Sequence, residues 1–227
     1  MINAILLPRH NARLLAALLV GFCLTGPALA QSHATHQHSF GNADKWSQVF
    51  DDPKRDAWQK PHEVITALKL RPDAIVADVG AGTGYFSARL AHFVPQGRVY
   101  AADAEVDMVK FLGERAKREG LANLTAVAAA ADSPRLPSPV DLVLFVDVYH
   151  HLDNRSAYFS QLRSSLKPGG RIAMIDFSMN SRSGPPRSER IDPEQVKTEM
   201  RAAGYTLAEE FKFLPEQYFL VFAPLKP

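Results

Sequence analysis

The chain has 227 residues, of which 46% are hydrophobic. This is enough for a sizeable buried core and excludes a disordered or collagen-like chain. The formal net charge is +2, and both Arg9 and Arg13 lie in an N-terminal segment that we expect to be removed. The rest of the chain then carries equal numbers of basic and acidic side chains. Its overall charge therefore gives no reason to expect a nucleic acid or an anionic membrane as partner.

Residues 1–30 have the pattern of a secretory signal peptide. An apolar run over 14–22 follows a basic stretch and leads to Ala28-Leu-Ala30, a small-x-small site of the kind that signal peptidase accepts. Gly26-Pro27 interrupts the run, which is shorter than the roughly 20 apolar residues of a spanning helix. We expect cleavage before Gln31 and a periplasmic or secreted protein. An uncleaved inner-membrane anchor is the alternative, and it is the one membrane contact that the sequence suggests.

Two short segments precede the main domain, which we expect to span residues 61–227. Residues 31–43 are polar and are predicted to be a flexible leader. Its histidines suit a transition metal, but they have no scaffold beside them, so we predict no metal site; they are His33, His36 and His38. Residues 44–60 are predicted to form an arm whose aromatic side chains either cover an acceptor pocket or only anchor the arm; these are Trp46, Phe50 and Trp58. The only cysteine, Cys23, lies in the removable segment, which excludes disulfides and thiolate metal sites from the mature chain.

Strand and helix patterns alternate from Pro61 onward. The apolar runs lack every-second-residue polarity and so favour parallel strands covered on both faces; they are 74–79, 99–102, 124–127, 142–146 and 172–177. Between them, apolar residues about four apart predict crossover helices; these residues are Phe86, Leu90 and Val94, then Met108, Leu112 and Ala116, then Tyr158, Leu162 and Leu166. A further helix is predicted to begin with Asp192 as its N-cap and Pro193 in its first turn, and to end before Gly204.

The C-terminal end of the chain has a different pattern. Two strand-like runs, 205–213 and 217–222, are separated by only three residues, too few for a helical crossover, so they should pair antiparallel. The predicted fold is therefore a doubly wound, Rossmann-like α/β domain. Its seven-stranded sheet should have five parallel strands and a C-terminal antiparallel hairpin.

Ligands of open parallel sheets bind at the carboxyl ends of the strands, so the residues that follow each strand are the candidates for chemistry. The first strand is followed by Gly80, Gly82 and Gly84 at alternate positions, which lets backbone N–H groups approach a ligand closely. Asp78 adds a negative charge there, which favours a cationic amino-acid ligand. A diphosphate would not gain from that charge, and its loops more often have Gly-x-Gly-x-x-Gly spacing.

Two further strand ends carry carboxylates. Asp103 ends the second strand at the position from which a carboxylate accepts hydrogen bonds from a ribose diol, a feature that alone suits NAD equally well. Met108 either packs its thioether on a flat base or belongs to the helix core. Asp132 follows the third strand, where it either accepts from an adenine amine or is an ordinary loop residue.

These features together resemble the class I S-adenosylmethionine-dependent methyltransferases, in particular the small-molecule group that includes the ubiquinone-biosynthesis type. The resemblance rests on the order and spacing of the motifs; these are Val76 to Gly84, Asp103 with Met108, Asp132, Asp141 to Leu152, and Leu166 to Arg171. It covers roughly residues 61–225 and leaves the leader and the arm outside.

The resemblance implies a role for each matched residue. The loop of Gly80, Gly82 and Gly84 would wrap the methionine part of S-adenosylmethionine, with Asp78 near its ammonium group. Asp103 would hold the ribose and Asp132 would mark the adenine edge. Asp147 would face the region of methyl transfer.

The acceptor side of the site is less closely specified. The sequence from Asp147 to His151 lacks the Pro-Pro-Tyr of enzymes that methylate DNA bases or glutamine, so we expect a small-molecule acceptor and no nucleic acid. If that acceptor must lose a proton, His150 and His151 are the leading candidate bases, with ordinary packing at a helix start as the alternative. His62 is a weaker candidate base, and Tyr149 would position the acceptor or cap the pocket.

The segment from Ser178 to Arg190 is long and rich in Ser, Gly, Pro and Arg, which is typical of a lid or a disordered loop. Its arginines would attract an anionic acceptor or be solvated; they are Arg182, Arg187 and Arg190.

The predicted function is methyl transfer from S-adenosylmethionine to a small molecule. Two alternatives stay open, namely a non-catalytic secreted protein that binds a nucleotide or a metal on the same fold, and an NAD-dependent oxidoreductase, which the glycine spacing disfavours. The predicted export conflicts with a methyl donor that is made in the cytoplasm. The acceptor and the oligomeric state do not follow from the sequence.

Overall fold

A twisted seven-stranded sheet organises the chain, and the computed structural model describes residues 40–226. The strands are β1 (Ile75–Val79), β2 (Arg98–Asp103), β3 (Leu124–Ala128), β4 (Val140–Val146), β5 (Leu166–Phe177), β6 (Tyr205–Phe211) and β7 (Gln217–Pro224). Their order in the sheet is β3-β2-β1-β4-β5-β7-β6. The pairings within β1 to β5 are parallel, and β7 runs antiparallel to both β5 and β6. The predicted fold class is confirmed.

Seven helices connect or precede these strands within residues 40–226. They are α1 (Ala43–Phe50), α2 (Asp56–Gln59), α3 (Pro61–Ala67), α4 (Tyr85–Phe93), α5 (Val106–Arg118), α6 (Arg155–Leu162) and α7 (Pro193–Ala202). Residues of α3, α4 and α5 share one buried cluster with alternate strand residues such as Val76 and Leu144. Residues of α6 and α7 share the other with Ala77 and Phe145. Helices thus cover both faces, which is why the strands are apolar throughout.

Several predicted boundaries differ from the structure, among them the end of α6, the start of β5 and the end of β6. α6 ends at Leu162 and does not continue to Leu166, because residues 163–165 form a 3₁₀ turn and Leu166 already pairs with Val140 in the sheet. β5 begins well before Ile172 for the same reason. β6 ends at Phe211, two residues earlier than the predicted run. In each case strand pairing, which periodicity does not report, decides the boundary.

Part of the Asp141–Leu152 motif and the Leu166–Arg171 motif lie at the amino ends of the strands and hold the sheet together. The Asp141 carboxylate accepts from the backbone N–H of Ile75 at 2.7 Å and from the Lys167 ammonium at 2.7 Å. These contacts join β1, β4 and β5 at the edge opposite the glycine loop. Asp141 and Lys167 therefore have a structural role here.

The arm that precedes β1 is ordered and belongs to the same compact unit as the sheet. The Arg115 guanidinium on α5 donates to Asp51 at 2.8 Å, and the Lys60 ammonium donates to the Phe213 carbonyl at 3.1 Å. The hydroxyl of Tyr85 and the guanidinium of Arg89 both donate to Asp56. Polar contacts thus fix both ends of the arm to the main domain.

The predicted signal peptide, residues 31–39 of the leader and the leader histidines lie outside the described residues. The prediction of a flexible leader is wrong for residues 40–43, because the Phe40 N–H donates to Glu105, the Asn42 N–H donates to Asp107 and α1 begins at Ala43. Within residues 40–226, no helix has the length and apolar character that crossing a bilayer requires. The same residues contain no group of three His, Cys, Asp or Glu side chains suited to a metal ion.

Helix α7 provides a direct test of the capping prediction. The Asp192 side chain accepts from the Glu194 N–H at 2.8 Å, as an N-cap residue should. We expect Asp192→Ala to lower the free energy of unfolding by about 1 kcal/mol in urea titrations. Asp192→Asn should stay close to wild type because asparagine caps as well as aspartate. Equal losses in both variants would show that the cap does not stabilise α7.

Candidate active site

The loop between β1 and α4 forms a cradle of exposed backbone at the carboxyl ends of the strands. Gly80 and Gly82 have φ angles of +70° and +56°, a region that side chains with a Cβ rarely occupy. A Cβ on Gly80 would lie 2.4 Å from a methyl of Val148, and one on Gly82 would lie 3.2 Å from the Phe50 ring. The chain therefore needs glycine at both positions, because Val148 and Phe50 pack directly against the loop.

Asp78 is the last but one residue of β1, just before this cradle, and is only 3% exposed. The Ser87 hydroxyl donates to its carboxylate at 2.5 Å. Burial raises the pKa of Asp78 to about 6, although the Ser87 hydrogen bond opposes the rise. Asp78 is thus a desolvated carboxylate that contacts no cation of residues 40–226, as expected for a group that meets a positively charged ligand.

Asp103 ends β2 beside the same loop. Its two carboxylate oxygens accept from the backbone N–H groups of Gly82 at 2.8 Å and of Glu105 at 2.9 Å. Burial raises the pKa of Asp103, and these hydrogen bonds counteract it. Each carboxylate oxygen keeps acceptor capacity for a ligand hydroxyl. Met108, on the first turn of α5, is 1% exposed. This burial is compatible both with a place in the helix core and with packing of its thioether on a base.

The hydroxyl of Thr83 shows that the cradle has unused capacity for a polar ligand. This side chain is 1% exposed, and its buried oxygen has no hydrogen-bond partner within the described part of the chain. Buried polar atoms are normally paired, so an orphaned hydroxyl in a glycine loop marks a contact that a ligand can complete. Together with the close-approach backbone and Asp103, it fits the nucleoside and amino-acid parts of S-adenosylmethionine.

Asp132 follows the carboxyl end of β3, the neighbour of β2 in the sheet. It is exposed in a tight turn closed by the Ala130–Ser133 bridge, next to the end of β3. The predicted adenine contact therefore stays a prediction.

Asp147, at the end of β4, lies in a network of buried amides. Its φ angle is +59°, and its carboxylate accepts from the side-chain amides of Gln59 at 3.1 Å and Gln217 at 2.5 Å. Gln59 comes from α2 of the arm and Gln217 from β7. Burial and the neighbouring charge of Asp176 raise the pKa of Asp147 to about 7.

His150 forms a buried pair with Asp176 at the end of β5. Its Nδ1 lies 2.9 and 2.8 Å from the two carboxylate oxygens, and the histidine is 3% exposed. Burial lowers the pKa of His150, but the hydrogen bond and charge of Asp176 outweigh it, so the net shift is upward. The His151 ring packs 4.0 Å from the His150 ring. Asp176 therefore orients the ring of His150, one of the two candidate bases.

Two other residues considered for the acceptor side lie elsewhere. Tyr149 is fully buried, and its hydroxyl donates to Glu199 of α7 at 2.6 Å, so its role is to hold the turn after β4 against α7. The acceptor role for Tyr149 is wrong, because that contact uses its hydroxyl inside the core. His62 is exposed on α3 and packs against Phe93, with a ring separation of 5.3 Å.

The arm lies over the strand ends. Phe50 lies next to the place where a Cβ on Gly82 would be. Trp46 stacks on Phe50 with 5.2 Å between ring centroids, and Trp58 packs on Phe177 with 5.7 Å between centroids. The aromatic residues therefore do more than fix the arm to a remote surface, since two of them cover residues at the edge where the candidate site lies.

The arginine-rich segment 178–190 is ordered around Arg190. Its guanidinium donates to four backbone carbonyls, those of Ser178, Ser181, Ser183 and Pro185. Arg190 is thus neither a solvated charge nor available to an anionic acceptor, because internal carbonyls use its donors. Arg187 donates to the Asn180 side chain, while the backbone N–H of Arg182 donates to Glu216.

Four residues of the site escaped the sequence analysis: Gln59, Thr83, Asp176 and Gln217. Asp176 had a recognisable signal, because it is a charged residue inside the apolar run 172–177. The two glutamines had none, since their importance comes from contacts with Asp147, far away along the chain.

Ionisation of Asp78 should lower the stability of the fold as pH rises, which is the opposite of the usual effect of a carboxylate. Because the folded-state pKa is raised from 3.8 to about 6, the folded state binds more protons, and ionisation costs stability as pH rises through this window. Asp78→Asn should therefore be more stable than wild type at pH 7, by up to about 3 kcal/mol, and nearly equal to it below pH 4. Urea titrations at both pH values measure this. A variant less stable than wild type at pH 7 would contradict it.

Comparison with known proteins places this geometry among methyltransferases. Residues 76–170 match the family model described as "Methyltransferase domain". A ubiquinone/menaquinone biosynthesis C-methyltransferase of Shewanella piezotolerans is 30% identical over 119 residues, which is 50% of this chain and 47% of that protein. A malonyl-[acyl-carrier protein] O-methyltransferase of Hahella chejuensis is 32% identical over 97 residues, or 43% of this chain and 34% of that protein.

A solved structure agrees. The crystal structure of a SAM-dependent methyltransferase from Aquifex aeolicus superimposes with a TM-score of 0.74 at 25% identity, covering 80% of this chain and 97% of that one. The chain spans about half the length of the first curated relatives that it matches. Residues 76–170 therefore match a methyltransferase domain, and the fold of the chain is similar to that of a SAM-dependent methyltransferase.

Proposed function

We propose that this chain transfers a methyl group from S-adenosylmethionine to a small molecule that gives up a proton. The observation that carries the proposal is the shared location of two features at one edge of the sheet. The glycine cradle with Asp103 lies where β1 and β2 end, and the His150–Asp176 pair lies where β4 and β5 end. The ends of β1 and β2 would thus bind the cofactor, and the neighbouring ends of β4 and β5 would remove the proton.

The residues that would hold the cofactor are Gly80 and Gly82 through their backbone, Thr83, Asp78 and Asp103. When bound, S-adenosylmethionine supplies an electrophilic methyl group on a positively charged sulfur. The buried carboxylate of Asp78 offers charge complementary to the cofactor's ammonium, and Asp103 offers acceptors to its ribose. The protein's main contribution is then alignment of the acceptor, which can supply about 7–11 kcal/mol.

His150 is the group that we propose takes the acceptor's proton. Asp176 binds Nδ1, which fixes the ring and makes Nε2 the basic nitrogen of the neutral imidazole. A base of this kind contributes about 10²–10⁴-fold to a reaction in which an alcohol, a phenol or an acidic carbon loses its proton. The names of the curated relatives include both C- and O-methylation, which is compatible with acceptors of this class.

We also propose that the chain acts outside the cytoplasm, on the basis of the signal-like pattern of residues 1–30. Sequencing the N-terminus of the protein from a periplasmic fraction tests this, and a start at Gln31 is the expected result. An intact N-terminus in the soluble cytoplasmic fraction would reject export.

Cofactor binding is the first test of the proposed function. Calorimetry with the purified protein should detect S-adenosylmethionine and S-adenosylhomocysteine at micromolar concentrations. Asp103→Asn should weaken both by about 10- to 100-fold, the range expected when hydrogen bonds to a charged group are lost. Asp73→Asn, an exposed change outside the strand-end site, is the matched control. Absence of binding in wild type would defeat the proposal, and binding without transfer to any acceptor would favour the non-catalytic alternative.

The second test concerns the proposed base. Because Asp176 raises the pKa of His150, Asp176→Asn should lower that pKa. NMR titration of the imidazole Cε1–H should show this directly. With an acceptor in hand, the rising limb of the pH–rate profile should move to lower pH and the plateau rate should fall. Glu194→Gln on the surface of α7 should change neither. An unchanged histidine titration in Asp176→Asn would remove the pair from the mechanism.

A further inference from the structure

The arm supplies a buried polar residue to the strand-end site, although it lies outside the matched methyltransferase domain. Gln59, the last residue of α2, is 0% exposed, and its side-chain amide reaches Asp147. Gln217 on β7 is 4% exposed and reaches the other carboxylate oxygen. Elements from both ends of the chain therefore meet at the end of β4.

The hydrogen bonds around the two glutamines define which way each amide points. The Arg55 guanidinium donates to Gln59 Oε1, so Gln59 Nε2 must face Asp147 and the oxygen of Gln217. Because Gln217 Oε1 then accepts from Gln59, its own Nε2 faces Asp147. Every amide in the chain of contacts thus directs a donor at the carboxylate. An ionised carboxylate is acceptor-only, so this arrangement suits Asp147 as an anion.

No cationic nitrogen of the described residues lies within ion-pair distance of Asp147. The titratable groups that influence it are Asp176 on β5, His150 after β4, Arg55 in the arm and Tyr218 on β7. Arg55 acts only at longer range, since its own hydrogen bonds go to Gln59 and the Phe50 carbonyl. An ionised, half-buried carboxylate held by two buried neutral amides leaves room for a positive charge on a ligand.

Asp147 lies next to the cofactor cradle, because the following residue, Val148, packs against Gly80. We infer that Gln59 is a positioning residue which, together with Gln217, holds Asp147 as an anion facing the positive sulfur of the bound cofactor. The inference rests on the proposed function and goes beyond it, because it gives the arm a part in distinguishing the charged methyl donor from its neutral product. The affinity for S-adenosylmethionine relative to that for S-adenosylhomocysteine should therefore depend on the charge of Asp147.

A double-mutant cycle tests the inference through binding alone. Calorimetry measures the affinities for S-adenosylmethionine and S-adenosylhomocysteine in wild type, Gln59→Leu, Asp147→Asn and the double variant. Gln59→Leu should reduce the ratio of the two affinities by about tenfold, because loss of a donor favours the neutral form of Asp147. In the Asp147→Asn background the same change should leave the ratio unaltered, since Gln59 acts through Asp147.

The pH dependence of that ratio separates positioning from folding. In wild type the preference for the charged ligand should increase as pH rises through about 7, where Asp147 ionises. Gln59→Leu should move this rise to higher pH. Gln96→Leu, at an exposed turn before β2, is the matched control and should change neither ratio nor profile. If Gln59→Leu does not fold, Gln217→Leu removes the other donor and carries the same expectation.

The inference would be overturned if Gln59→Leu weakened the binding of both ligands equally and did not shift the pH dependence of the affinity ratio. Gln59 would then only support the fold. Additive effects in the cycle would also overturn it, because Gln59 would then act independently of Asp147. Failure of wild type to bind either ligand is a different result, since it defeats the proposed function itself.

Discussion

Three buried carboxylates and one half-buried carboxylate lie where parallel strands of one sheet end, and the cost of removing them from water shapes the rest of the site. A carboxylate removed from water needs hydrogen-bond donors, a cation or a proton. Each strand end meets this need differently. Asp78 receives a hydroxyl, Asp103 two backbone N–H groups, Asp147 two side-chain amides and Asp176 an imidazole. The donors come from the loop, the arm, β7 and the turn after β4, which explains why these elements converge.

The compensation is incomplete at Asp78 and Asp147, where burial raises the pKa to about 6 and about 7. A site that carries such groups is less stable by itself than an apolar one of the same shape. The same site gains affinity for a ligand that brings positive charge to this edge of the sheet, because the ligand then supplies the positive charge that these carboxylates lack in the free protein. Local instability and cofactor recognition are thus two consequences of one arrangement.

The arm adds residues from outside the matched domain to the candidate site. The family match begins only at residue 76, yet Phe50 covers the glycine loop and Gln59 binds Asp147. The polar contacts that fix the arm, such as Arg115 with Asp51, lie at the cradle's own helices. A cover of this kind excludes water from the edge where charge must be recognised, which strengthens electrostatic interactions there.

The sequence by itself was sufficient for the features that depend on short stretches of chain. Apolar runs, the alternate glycines, the Asp192 cap and the three-residue link between the last two strands each carry a local signal, and the structure confirms the elements that they predict. Asp78, Asp103 and Asp147 could be named because each directly follows or ends an apolar strand. The boundaries of α6 and β5 could not, since cross-strand pairing sets them.

Only the tertiary structure decided which side chains meet. Gln59 and Asp147 are 88 positions apart and His150 and Asp176 are 26 apart, separations that leave no periodic trace in the sequence. The same reason explains the two reassigned residues. Tyr149 is drawn into the core by Glu199, and Arg190 by carbonyls of its own loop. Chain order determines which residues stand at the strand ends, and packing determines what each of them bonds to.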